Sequence, residues 1–137
     1  MDAILPTLTS GLPVLILQFA VALGLLAIGA AIYGAITPFH ELGLIRQGNT
    51  AAGIVFAGTL VSLAVPLAAT LATSLVTLDV LIWGAVALVI QLLAFAAAGA
   101  LVRGLRGMIE EGNVAAALAL VGIQLAVALL NAGAMAG

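Results

Sequence analysis

Few side chains in this sequence could do chemistry, and they concentrate in one stretch. Thr37-Pro38-Phe39-His40-Glu41-Leu42-Gly43-Leu44-Ile45-Arg46-Gln47-Gly48-Asn49 holds the only histidine, one of three basic residues and one of five acidic residues. Glu41 and Arg46 are five residues apart, just off the helical spacing that pairs charges, but Gly43 and the turn signal at Gly48 allow them to meet. Such a pair could be a charged gate or an anion or cation site at the mouth of a membrane protein. The plainer expectation is an ion pair that anchors the segment among headgroups, because exposed pairs are weak and common. His40 could relay a proton. With no second histidine and no cysteine it makes a poor metal ligand, and interfacial hydrogen bonding is expected of it. A weaker polar stretch runs from Arg103 to Asn113. Its Glu110 and Glu111 could bind a divalent cation or polyamine, but two neighbouring carboxylates without a further ligand are weak evidence, and a solvated face near the positive end of the following helix is expected of them.

Four more amides lie inside apolar runs, the first of them Gln18 in the outer third of the first run. Gln91 is twelve residues from Arg103 and Gln124 eleven from Asn113, which at about 1.5 Å per helical residue gives them similar depths. A buried amide requires a partner. The expected one is an interhelical hydrogen bond, worth about 0.6 kcal/mol, and the alternative is a polar lining for a solute or ion path. Asn131, near the end of the last apolar run, is expected to cap or to bond across a helix interface. Asn49 and Asn113 each follow a glycine, the pairing that stops one helix and caps the next.

The elements that hold these residues follow from composition. Of 137 residues 66% are hydrophobic and 6% charged, against about 25% charged in globular domains, so a soluble fold would have to expose most of its apolar side chains. The runs between polar breaks are long enough to cross a hydrocarbon layer of about 30 Å as helices. Net charge is −2, and the basic residues are three arginines without a lysine, which argues against nucleic acid as a partner. The lack of cysteine removes disulfides, thiolate metal sites and thiol nucleophiles. Met1 to Gly11 carries no basic residue, so the first apolar run is expected to be retained rather than cleaved.

In chain order, Asp2 to Gly11 reads as a polar lead-in, and the first crossing is predicted from about Leu12 to Ile36. Its Ala20, Gly24, Ala27, Ala31 and Ala35 suggest a face for close helix approach, and Tyr33 suits the interface. A short amphipathic helix is predicted from Pro38 to about Gln47, with Phe39, Leu42 and Ile45 on one face and His40, Gln47 and Glu41 elsewhere. Crossings from about Thr50 to Ala72, Leu78 to Leu101 and Val114 to Met135 follow. Pro66 should kink the second, with Ser62 helping to satisfy the freed carbonyl region. Trp83 is placed at interfacial depth in the third.

With an offset of 64 residues, Gly43, Ile45, Gly48, Asn49, Ala51, Ala52 and Gly58 match Gly107, Ile109, Gly112, Asn113, Ala115, Ala116 and Gly122. The expected fold is therefore an all-α membrane protein, a single transmembrane domain over residues 1–137. Its four transmembrane helices form two parallel two-helix repeats, at about 12–72 and 76–136, with short amphipathic cytoplasmic segments. Arg46, Arg103 and Arg106 lie in the two polar segments while Asp2 and Asp79 lie opposite, so segments 37–49 and 103–113 are expected in the cytoplasm and both termini outside.

The words TPFHELGLIRQGN and IEEGNVAAALAL, and the ending LLNAGAMAG, resemble the YjfL-like family of bacterial inner-membrane proteins, domain of unknown function 350, over nearly the whole length. The word at Glu41, Ile45, Arg46, Gly48 and Asn49 carries most of that resemblance. The family commonly ends near Asn-Ala-Ala-Cys-Met, whereas Asn131-Ala132-Gly133-Ala134-Met135 has no thiol. The resemblance implies a multi-pass protein of the bacterial inner membrane with no assigned reaction. Without a catalytic, cofactor or metal constellation, the expectation is a non-enzymatic, self-associating unit that binds or conducts a small solute, ion or lipid, surrounded by membrane lipids. The alternative is a scaffold or stress-related accessory protein whose polar segments dock a cytoplasmic protein. The candidate polar site is His40, Glu41, Arg46, Asn49, Gln91, Asn113, Gln124 and Asn131.

Overall fold

The computed structural model describes residues 2–37, 41–101 and 104–136. Six helices follow one another: α1 (Ile4–Ile36), α2 (Glu41–Arg46), α3 (Thr50–Thr73), α4 (Thr77–Leu101), α5 (Leu105–Glu110) and α6 (Val114–Ala136). The four long ones have mean hydropathies of 2.1 to 2.5 in their most apolar windows. All are long enough to span a membrane, and the chain is an all-helical, multi-pass membrane protein. Each half runs long helix, six-residue helix, long helix. α2 and α5 lie at the same end of the bundle, because the Asn49 side chain on one corner bonds the backbone of the other.

The N-terminal lead-in is helical instead of irregular. α1 begins at Ile4 and its 33 residues make a rod of about 50 Å. Pro6 falls in the first turn, where no backbone donor is required. The polar side chains that suggested a turn bond the helix itself, Thr7 to the Ala3 carbonyl at 2.7 Å and Ser10 to that of Pro6 at 2.8 Å. Only the second part of α1 meets the bundle, through Ala22, Leu25, Gly29 and Tyr33. The small-residue face expected to pack, Ala20, Gly24, Ala27, Ala31 and Ala35, points outward along its whole length.

α3 is the most enclosed helix, in contact with α1, α4 and α6. Close approach is achieved at glycines. A methyl on Gly29 would come 2.9 Å from Leu88, one on Gly84 would come 2.7 Å from Leu25, and one on Gly58 would overlap Val121. Pro66 lies inside α3. The Ser62 hydroxyl does not serve the carbonyl that Pro66 leaves unpaired; it donates one turn back to the Gly58 carbonyl at 2.7 Å, and Thr70 donates to that of Pro66 at 3.0 Å.

Both corners are built alike. Gly48 and Gly112 take left-handed φ values of 83° and 82°, and the amides of Asn49 and Asn113 return to the carbonyls of Leu44 and Met108 at 3.0 and 2.9 Å. This is the glycine-terminated turn that closes orphan carbonyls. Asn49 Oδ1 then accepts from the Ala52 amide and Asn113 Oδ1 from that of Ala116, at 3.0 and 3.1 Å.

Candidate functional site

The short helix α2 turns both Glu41 and part of its apolar pattern to the bundle, Leu44 and Ile45 packing against the core around Ala52, Val55 and Ile109. Glu41 is 8% exposed and Leu42 is 59% exposed, in keeping with an amphipathic helix whose apolar side meets the membrane surface. Inside, the Tyr33 hydroxyl donates to Glu41 Oε1 at 2.8 Å. Tyr33 is itself buried, and its ring meets Phe95 edge-on with centroids 5.5 Å apart. Burial pushes the Glu41 carboxyl above its ordinary value, and the bond from Tyr33 draws it partly back. The expected meeting of Glu41 with Arg46 does not occur. Arg46 is exposed, and among the described residues the one ion pair joins Arg106 to Glu110 at 2.9 Å, with both side chains well exposed. His40 and Arg103 lie outside the described residues.

Deeper in the bundle the amides converge. Gln91 Nε2 donates to the Gln124 carbonyl at 3.0 Å, Gln124 Nε2 to Thr59 Oγ1 at 3.2 Å, and Asn131 Nδ2 to the Ala87 carbonyl at 3.1 Å. Gln91, Gln124, Asn131 and Thr59 are all buried, so one polar seam stitches α3, α4 and α6. Among the described residues no buried polar side-chain atom lacks a partner. As arranged, the seam is interhelical cement, with every amide engaged by its neighbours.

Asn49 has a second bond that its counterpart lacks. Its Nδ2 donates to the Ile109 and Glu110 carbonyls at 2.8 and 3.2 Å, fastening one corner to the other. Asn113 forms no such cross-bundle bond among the described residues. At the opposite end, Thr70, Thr73, Ser74, Asp79, Trp83 and Met135 border an open cleft of about 290 Å³. Among the described residues no three His, Asp or Glu side chains gather as a metal site would require.

Sequence spacing placed Gln91 and Gln124 at one depth but did not identify Tyr33 and Thr59 as the hydroxyls that complete the polar contacts. The available signal was positional: Tyr33 lies eight residues before Glu41, and Thr59 lies 65 before Gln124.

Over 117 residues the chain is 36% identical to the UPF0719 inner membrane protein YjfL of Escherichia coli K12, covering 85% of this chain and 89% of that protein. The protein of the same description from Escherichia coli O157:H7 matches to the same extent. No solved structure matches. The family model described as Domain of Unknown Function (DUF350) matches residues 7–135. With nearly the whole bundle covered, from the first turns of α1 to the end of α6, the chain belongs to that family of integral inner-membrane proteins.

Proposed function

We propose that this protein is a self-associating helical unit that binds or conducts a small ion at the membrane, with Glu41 as the group that meets it. The buried Glu41 carboxyl carries this reading. A carboxyl enclosed by a helical bundle is costly to keep without a function, and only one Glu41 oxygen is occupied by Tyr33 among the described residues. Proton or small-cation exchange suits a carboxyl that burial raises above its ordinary value. The glutamine seam supports the helices around it, Gln91 and Gln124 each donating to a neighbouring helix.

In the same proposal the α2 and α5 end faces the cytoplasm. Arg46 and Arg106 lie at that end and Asp79 starts the helix that enters from the other, in keeping with the bias of arginine toward cytoplasmic loops.

Proteoliposomes loaded with a pH-sensitive dye test the conducting role. A proton or cation flux that falls at least tenfold in Glu41→Gln, while Gln91→Leu retains most of it, is the expected result. No flux in the parent, or equal flux in Glu41→Gln, would contradict it.

A further inference from the structure

At the contacts that join α1 to α4 and α3 to α6, residues buried in one half have exposed images in the other. Leu25 and Gly29 of α1 pack on Gly84 and Leu88 of α4. Sixty-four residues after Leu25 and Gly29 come Val89 and Leu93, exposed on α4; sixty-four before Gly84 and Leu88 come Ala20 and Gly24, exposed on α1. The α3–α6 contact behaves likewise. Gly58 meets Val121, while their images Gly122 and Ala57 are both exposed. Two halves paired by a two-fold axis would bury both members of each set. Here the first half offers one surface to the second half's other surface, which is a heterologous contact.

We propose that the chain repeats this contact between molecules, the α4–α6 half of one copy receiving the α1–α3 half of the next. The proposal rests on the self-association in the proposed function and names its surfaces.

Three observations identify a second copy as the occupant. The outward small-residue face of α1 is the image of the α4 face that the bundle already buries, so its complement exists on every copy. The receiving side holds a groove of about 250 Å³ bordered by Leu105, Met108, Asn113, Ala116, Leu120 and Ile123. Finally, the internal contact has Asn49 donating to the Ile109 and Glu110 carbonyls; its image has the Asn113 amide donating to the Ile45 and Arg46 carbonyls of the next copy. A contact of this kind closes into a ring or runs on as a filament. Repeated about an axis along the membrane normal, it keeps the α2 and α5 corners of all copies on one side.

The chain has no cysteine, so disulfide trapping in native membranes reads the contact directly. The images of the internal contacts give two pairs, Gly24→Cys with Leu93→Cys and Ala57→Cys with Gly122→Cys, all four at exposed positions. Oxidation of either double variant is expected to give a ladder of dimers and higher multimers, and the four single variants should stay uncrosslinked. The interface is overturned if neither double variant ladders, or if Gly24→Cys alone dimerises as readily as the pair. Ladders without ion flux would refute the conducting role and uphold this interface; flux without ladders would do the reverse.

Discussion

The corners at Gly48-Asn49 and Gly112-Asn113 share sequence, backbone conformation and cap, yet only the first is fastened across the bundle. Local structure is therefore set by the repeated word, and long-range contact by which neighbour is present. The same contrast runs along the helices. Thr59 of the first half bonds Gln124 of the second, and Gln91 and Asn131 tie α4 to α6 within the second half, whereas the images of Thr59, Gln91, Gln124 and Asn131 are Ile123, Ala27, Leu60 and Leu67. The contact between the halves includes the Thr59–Gln124 bond, and its repetition between copies would set Ile123 against Leu60 there and keep polar bonds only at the corner, from Asn113. Glu41 likewise has Leu105 as its image, and both are buried, so the carboxyl belongs to one half alone.

The strongest test of this contrast is at the paired glycines. In Gly58→Ala the added methyl meets Val121, and overpacking of this kind costs about 1–3 kcal/mol. Gly122→Ala has open space and should gain up to about 1 kcal/mol from helix propensity. Unfolding of monomers in mixed micelles measures both, and equal effects would break the contrast. The corner asparagines come next. Asn113→Ala loses a cap worth about 1 kcal/mol, and Asn49→Ala should lose more, because two cross-bundle bonds go with the cap. Asn49→Asp retains the cap acceptor and isolates the amide's share in the same unfolding experiment.

A smaller effect is expected in the seam. Removing the Gln124 side chain as Gln124→Leu should cost about 0.6 kcal/mol for its bond with Thr59 and rarely above 1.7, read from the same curves. The subtlest difference is in pH dependence. Because burial raises the Glu41 carboxyl, its contribution to stability is complete below the ordinary carboxylate value and is lost as pH rises through the elevated one. The parent should lose stability over that window and Glu41→Gln should not. A protonated-carboxyl infrared band that persists above the ordinary carboxylate range in the parent, and is missing from Glu41→Gln, would sharpen the same point.

The helices and corners were legible in the sequence because their instructions are local: long apolar runs, a glycine that takes positive φ, and an asparagine that caps. Gln91 and Gln124 were legible as a pair because both are counted from polar ends. The start of α1 was not, since Thr7 and Ser10 favour turns in water but bond back onto the helix where water is scarce. The inward turn of Glu41 was hidden as well. The amphipathic pattern places Leu42 and Ile45 on the apolar side and Glu41 elsewhere, and nothing local shows that Tyr33, eight residues earlier, supplies a buried hydroxyl to the carboxylate.

Cysteine accessibility in oriented vesicles tests the placement of the two corners most directly. A membrane-impermeant thiol reagent should label Gln47→Cys and Glu111→Cys in inside-out vesicles and neither in intact spheroplasts. Labelling of the two positions from opposite sides of the membrane would contradict the bundle, its fastened corner and the head-to-tail contact together.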